Sequence, residues 1–294
     1  MRRSTCVVLI AFAGFGAARH AQNADPPPVV FEAASVKPNR SGESNTSMRR
    51  APGGRYNATN APLPLLITFA YQIQPFQLQG GPSWMRTDRF DIVAKLDGDP
   101  PFVPMSSAEP DPLMLAMRTL LADRFRLAVH WETQEMPIYA LVLARADRKL
   151  GPNMHPAAVD CAAITGGVPA AARAGQITNP NTADHVACGM RNNAGRFQFG
   201  GNPMSVFANG LANQVARTVV DRTGLSGNWD FEFTFTPERF RQVRSTGADL
   251  PPDVDPDGPS LFTAIQEQLG LKLESTKGPV KVLVIDRVEP PTAD

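Results

Sequence analysis

The apolar residues of this chain switch between two periodicities, the alternation typical of strands and the three-to-four-residue spacing typical of helices. Between residues 55 and 143 these patterns follow the order strand, helix, strand, strand, helix, strand, strand, and a further strand is predicted over 29–36. The same order returns between 197 and 285. The sequence therefore predicts an α+β protein with two tandem related β-α-β-β-α-β-β units, each a small sheet with its helices packed on one face.

Individual residues recur with the patterns. Arg196 follows Arg55 by 141 positions (196 − 55), each between a glycine and an aromatic residue, and Pro203 follows Pro62 at the same distance. The aromatic strand around Phe231 returns at this distance from Phe90. A period of this length suits a duplicated domain rather than a solenoid repeat.

Glycine and proline mark the predicted turns. Turns over 134–137 and 277–279 each separate the last two strands of a copy, so both copies are expected to end in a local hairpin. Paired glycines also read as turns, because none has the strand-to-helix context of a phosphate-binding loop. These pairs are Gly53-Gly54, Gly80-Gly81, Gly166-Gly167 and Gly200-Gly201.

The resulting domain map has a first copy over 29–146, a linker over 147–194 and a second copy over 195–289 with a loop insertion at 238–259. Residues 1–21 are predicted to be a signal peptide, since two arginines precede a short apolar stretch and small residues follow. A retained anchor helix is the alternative. We expect an exported protein, periplasmic or secreted, with no transmembrane segment after signal removal.

The overall charge argues against two classes of partner. Among 294 residues the formal net charge is only +1, and 43% of the residues are hydrophobic. This balance gives no reason to expect nucleic acid or an anionic membrane surface as a partner. The hydrophobic content is ample for a buried core.

Two cysteines, Cys161 and Cys188, remain after the predicted signal peptide and lie in the linker. An even pair in an exported chain favours a disulfide. A metal pair is the alternative, with His155 and His185 as nearby ligands, but the spacings match no usual zinc motif. No cofactor or metal is therefore expected.

The chain carries no recognisable catalytic motif. Ser205 lacks the Gly-x-Ser-x-Gly context of a hydrolase, and His130 is expected on an exposed strand face. Two carboxylate pairs, Asp88 with Asp91 and Asp221 with Asp230, invite an acid–base interpretation. Asp221 and Asp123, each followed by an arginine, are interpreted instead as turn and salt-bridge residues. Trp84 and Trp229 precede the two aromatic strands and are expected either to line a binding groove or to cover the core.

Longer strings carry a resemblance to a family. Nearly the whole mature chain resembles a soil-associated family of exported bacterial proteins with no assigned function, whose relatives also occur behind membrane metallopeptidase sensors. This resemblance implies an extracytoplasmic sensing or interaction role. It rests on the strings at 31–39, 52–56, 80–84, 88–92, 120–125, 219–225, 258–262 and 268–274.

Each half is also similar, in element order, to the short N-terminal domain of secretins and TonB-dependent receptors, which binds protein partners in the periplasm. That likeness has no diagnostic motif, so no functional residue carries over from it.

These observations favour a non-enzymatic interaction module that binds an extracytoplasmic protein or a small ligand, with open sheet edges suited to strand addition. A hydrolase-like enzyme with carboxylates in the cleft between the copies is the alternative. A purely structural surface protein is the third possibility.

Overall fold

The structure is a computed structural model and describes residues 28–100, 110–161, 181–182, 185–193, 195–238, 240 and 254–291. The predicted signal peptide lies outside the described residues, as do most of the predicted insertion and the middle of the predicted linker. The described chain is of the α+β class, as predicted, and its strands form three four-stranded sheets.

The chain divides by its strand orders into a first half, residues 28–143, and a second half, residues 144–291. Elements of the first half are β1 (Phe31–Pro38), β2 (Ser47–Ala51), β3 (Arg55–Pro62), α1 (Leu63–Tyr71), β4 (Leu78–Gly80), α2 (Trp84–Thr87), β5 (Arg89–Leu96), α3 (Pro112–Phe125) and β6 (Ala128–Leu143). Those of the second half are β7 (Met154–Pro156), β8 (Gly189–Asn193), β9 (Arg196–Asn202), α4 (Met204–Val215), β10 (Val219–Asp221), β11 (Trp229–Thr234), α5 (Leu261–Ala264, continued by a π-helical turn over Ile265–Leu269) and β12 (Leu271–Arg287).

One sheet lies wholly in each half, and the two have matching orders. The first sheet has the order β1-β5-β3-β2 and the second sheet the order β7-β11-β9-β8, with every neighbouring pair antiparallel. Pro62, the last residue of β3, is the N-cap of α1, and Pro203, the residue after β9, is the N-cap of α4. The missing N–H of a proline costs a helix nothing at this position.

Alternation along the strands builds a core on one face of each sheet. In the first sheet Tyr56 and Ile92 are buried, whereas Asn57 and Val93 point away. The second core is dominated by phenylalanines at ring-centroid distances of 4.8–6.2 Å. They are Phe197, Phe199, Phe207, Phe231, Phe233 and Phe235.

The third sheet joins the halves, and we call it the shared sheet. It has the order β10-β6-β12-β4, and β6 and β12 are antiparallel over almost their full lengths. Each short outer strand is parallel to its inner neighbour, β10 to β6 and β4 to β12. Leu141 of β6 is buried in the core of the second half, while Leu283 of β12 is buried in the core of the first. The last strand of each half therefore completes the core of the other.

The predicted turns over 134–137 and 277–279 are wrong, because both segments continue as extended strand. Met136 is paired with Gly278 in the middle of the β6–β12 ladder. A Cβ on Gly278 would lie 2.7 Å from Cδ1 of Ile138, so this glycine permits close packing instead of a turn. His130 lies exposed on β6, as predicted.

Strand pairing also corrects the ungapped sequence alignment between the first and the second half. A register shift follows Ala58 in β3, and the matching shift in β9 follows Phe199, 141 positions later (199 − 58). Beyond it, Phe90 pairs with Ala61 and Trp229 pairs with Asn202. The ladders thus match Phe90 with Trp229, two residues away from the ungapped match with Phe231.

Candidate ligand-binding site

A cavity of about 580 Å³ lies on the outer face of the second sheet. We call it the sheet cavity. Alternation in β11 turns Phe231 and Phe233 into the core, so Asp230 and Glu232 point outward. Further polar side chains come from β7 and the residue before it, the segment before β8, β9 and the π-helical turn after α5; they are Asn153, His155, His185, Gln198 and Gln268.

Asp230 lies between two imidazoles. His155 is its direct partner in the β7–β11 ladder, and directly paired residues share a face of the sheet. His185 reaches it from the covering segment, with Nε2 3.4 Å from Oδ2 of Asp230. Partial burial raises the pKa of Asp230, while the nearby His185 and His155 act in the opposite direction. The two imidazoles therefore only partly offset the cost of burying the charged form of Asp230.

Glu232 is held much more firmly. Arg196 donates two hydrogen bonds to its carboxylate, of 2.6 and 2.9 Å, and Nε2 of Gln198 donates a third of 2.9 Å. The bonds from Arg196 are the main reason that the pKa of Glu232 is lowered. Glu232 is thus a structural carboxylate, and Asp230 is the acceptor with capacity for a further partner.

A strap of chain partly covers the sheet cavity. Cys161 and Cys188 form the predicted disulfide, with their Cα atoms 5.6 Å apart, and so tie residues 185–188 to the end of the segment after β7. Val186, within this strap, is buried at 3% exposure. We call residues 185–188 the strap.

Gly200-Gly201 permits the strap to approach the sheet. Both residues lie inside β9, so the prediction of a turn at this pair is wrong. A Cβ on Gly200 would collide with the carbonyl oxygen of Val186, and one on Gly201 with Sγ of Cys161. A glycine pair inside a strand pattern was the available signal for this close approach.

One sheet edge predicted to be open is closed by side chains. Beyond the short β7, Asn153 donates to the carbonyl of Glu232 at 2.9 Å. Gln268 pairs with both backbone groups of Thr234, at 3.1 and 2.8 Å. This edge of β11 therefore has its backbone partners, and strand addition does not fit there.

The other residues singled out in the sequence lie apart from the sheet cavity. Asp221 accepts hydrogen bonds from the backbone and hydroxyl of Thr223, as expected of a turn residue, and Ser205 is exposed on α4. Trp84 packs against the first core and Trp229 against the second, where its Nε1 has no hydrogen-bond partner among the described residues.

The junction between the halves holds a smaller cavity of about 300 Å³. Tyr139 of the first half lines it together with Arg217, Glu238 and Phe262 of the second. Glu238 is the one carboxylate among the described residues that line it. The two carboxylates predicted for a hydrolase site in this cleft are thus not found together there.

In the described part of the chain, no group of three or more His, Cys, Asp or Glu side chains is arranged to hold a metal ion. No helix in that part is both long and apolar enough to cross a membrane.

Comparison with known proteins gives one match. No curated protein and no solved structure matches the chain. The sequence pattern of a family described as "Protein of unknown function (DUF3738)" matches residues 64–288, which include the second core, most of the first core, the strap and the shared sheet. The chain belongs to this family of proteins of unknown function.

Proposed function

We propose that this chain is an exported, non-enzymatic module that binds a small polar ligand in the sheet cavity. The observation that carries the proposal is Asp230, a partly buried carboxyl group between two imidazoles in a cavity of about 580 Å³. Cavities of this size, with a few converging polar groups, are typical of small-molecule sites. A ligand with hydroxyl or ammonium donors would supply the partner that Asp230 can accept.

Comparison with the first half supports this role for Asp230. The β3–β5 and β9–β11 ladders put Asp91 and Asp230 at matching positions. Asp91 accepts hydrogen bonds from the backbone N–H of Asn60, at 2.9 Å, and from Nδ2 of Asn39, at 2.8 Å. Ala157 takes the place of Asn39 in the second half and has no side-chain amide to donate. The carboxylate is committed to the fold in the first half and available for a ligand in the second.

The correspondence extends over both halves, and we infer that they arose by duplication. The two sheets have the same strand order, and their register shifts lie 141 positions apart. Asn60 and Gly201, also 141 positions apart, both have positive φ, at 56° and 64°. In this proposal one copy kept the structural role and the other gained the cavity.

Export is part of the proposal. Disulfides persist in oxidising compartments, so the Cys161–Cys188 bond supports the signal peptide predicted over 1–21. A sensing role and the likeness to the short N-terminal domain of secretins and TonB-dependent receptors stay predictions, as does an interaction surface at Trp84 and Trp229.

Thermal melting with a panel of small polyols, amines and amino acids tests the proposal. At least one member should raise the melting temperature of the wild-type protein, and Asp230→Asn should abolish the shift, because a ligand that binds only the folded state stabilises it. Asp88→Asn, which changes an exposed aspartate of the first half, should leave the shift intact. An unchanged shift in Asp230→Asn would contradict the proposal.

A hydrolase remains the second candidate because Asp230, with its raised pKa, lies 3.4 Å from His185, an arrangement compatible with acid–base chemistry. It predicts turnover of ester, peptide or glycoside substrates that His185→Ala removes. Binding without turnover favours the non-enzymatic function.

A further inference from the structure

The outer face of the first sheet is a shallow surface of small side chains among cationic ones. A groove of about 430 Å³ runs over it, and Val93 in its floor is 62% exposed. Directly paired residues form two neighbouring rows across the four strands. They are Ser35, Val93, Asn57 and Arg49 in one row, and Ala33, Lys95, Arg55 and Ala51 in the other.

Positive charge is in excess on this face. Arg49 and Arg55 are exposed, and in the described chain neither forms a salt bridge. Lys95 has a partner in Glu32, at 2.6 Å, and both side chains are about half exposed. Asp91 is already committed to hydrogen bonds within the fold. The face therefore presents unneutralised guanidinium groups beside an apolar floor.

The second half shows what such a face can hold. The strap lies across the outer face of the second sheet, where Val186 is almost fully buried against Gly200. The matching position in the first sheet is Thr59, 141 positions earlier (200 − 59), and it is exposed. The outer face of the second sheet thus accommodates a polypeptide segment, and the face proposed below is the corresponding face of the first sheet.

We propose that the outer face of the first sheet binds an extended acidic segment of a partner protein. Ala33 and Ser35 are small enough for a backbone to approach, and Val93 offers a contact for one apolar side chain of the segment. Carboxylates on either side of that residue would reach Arg49 and Arg55. The rows carry no aromatic side chain on which nucleic-acid bases could stack, so a peptide fits better than a single-stranded nucleic acid.

The test uses the full chain and a fluorescein-labelled hexapeptide of alternating glutamate and valine. Fluorescence anisotropy should show saturable binding that weakens as salt is raised, because charge pairs at a surface are screened. The double variant Arg49→Glu/Arg55→Glu should lower the affinity by about tenfold or more. Arg86→Glu, which reverses an exposed cation on α2, should leave it unchanged.

Further variants and ligands distinguish this proposal from the alternatives and from the proposal for the sheet cavity. Val93→Asp should also weaken peptide binding, whereas Asp230→Asn should not, so failure here is distinct from failure of the proposed ligand site. Circular dichroism melts establish that each variant is folded. Equal affinity for wild type and the double variant would overturn the proposal. So would tighter binding, lost in the same double variant, to a single-stranded oligonucleotide or to vesicles containing an anionic lipid.

Discussion

Leu141 and Leu283 lie in each other's half of the molecule. Leu141 belongs to the first half and is fully buried in the second core, and Leu283 belongs to the second half and is fully buried in the first core. Both lie on the long antiparallel pair β6–β12, which runs through the junction of the halves. The two halves therefore share one hydrophobic interior even though each has a sheet of its own.

This exchange predicts that neither half folds alone. Residues 22–146 lack the strand that carries Leu283 and Ile285, and their first core would face solvent along that side. We expect that fragment to show no cooperative thermal transition by circular dichroism. Mixed with residues 147–294, it should recover the transition of the full chain. A cooperative melt of the isolated fragment would contradict the exchanged arrangement.

Arg50 and Arg49 are adjacent in β2 and provide a matched pair. Arg50 forms an ion pair with Asp111 at 3.0 Å, and Asp111, 1% exposed, also accepts a hydrogen bond from the N–H of Leu113 at the start of α3. Arg50→Ala should lower the free energy of unfolding by about 1–3 kcal/mol, because it removes the cation from a buried carboxylate.

Arg49→Ala should change this free energy by less than about 0.5 kcal/mol, since Arg49 points to solvent on the opposite face. Urea denaturation measures both variants. Equal effects of the two substitutions would show that Arg50 is not the partner of Asp111.

Gly200 makes room for the strap, so Gly200→Ala should disturb it. The new Cβ would collide with the carbonyl of Val186, and overpacking of this kind costs about 1–3 kcal/mol. Ser205→Ala on the exposed side of α4 serves as the control and should have little effect. Hydrogen exchange should show faster exchange of residues 185–188 in Gly200→Ala alone. Unchanged exchange there would mean that the strap does not depend on the glycine.

Asp230 and Glu232 should respond to pH in opposite directions. The pKa of Asp230 is raised by burial, so the folded chain binds the carboxyl proton of Asp230 more tightly than the unfolded chain does. The stability of the protein therefore falls as the pH rises from the ordinary pKa of aspartate through the raised pKa of Asp230. Asp230→Asn should therefore be more stable than wild type at pH 7, and the difference should vanish below about pH 3.

The pKa of Glu232 is lowered, chiefly by its hydrogen bonds from Arg196. The ionised Glu232 therefore contributes to stability above the ordinary pKa of glutamate, and this stability is lost as the pH falls through the lowered pKa of Glu232. Glu232→Gln should accordingly be less stable than wild type at pH 7. Thermal melts between pH 3 and pH 7 measure both variants. Destabilisation by Asp230→Asn at pH 7 would contradict the assignment of Asp230 as an incompletely satisfied carboxyl group.

Local patterns in the sequence predict the fold class and most helices and strands, because period and capping residues act over a few positions. Pro62 and Pro203 are correctly placed at helix starts, and Cys161 and Cys188 are correctly paired. The shared sheet could not be predicted in this way. A proline after a short polar stretch indicates a turn, and only the distant partner strand keeps Pro137 extended, opposite Lys277.

Local patterns do not predict the candidate site for a similar reason. His155, His185 and Asp230 lie on three separate segments of the chain. Strand pairing between β7 and β11 and a strap held down by the disulfide bring them together. The cysteine pair predicts the disulfide, but the β7–β11 pairing has no local signature, and only the glycine pair in β9 signals the close approach of the strap.

NMR of the histidine side chains shows whether Asp230 and the two imidazoles form a ligand site. A compound that stabilises the protein in the thermal panel is titrated into the full chain labelled with ¹⁵N-histidine, and the ring resonances are followed. We expect His155 and His185 to shift together with one saturating affinity, His130 on β6 not to shift, and Asp230→Asn to remove the response. Shifts at His130 alone, or unchanged resonances at His155 and His185 on saturation, would contradict a ligand site at Asp230.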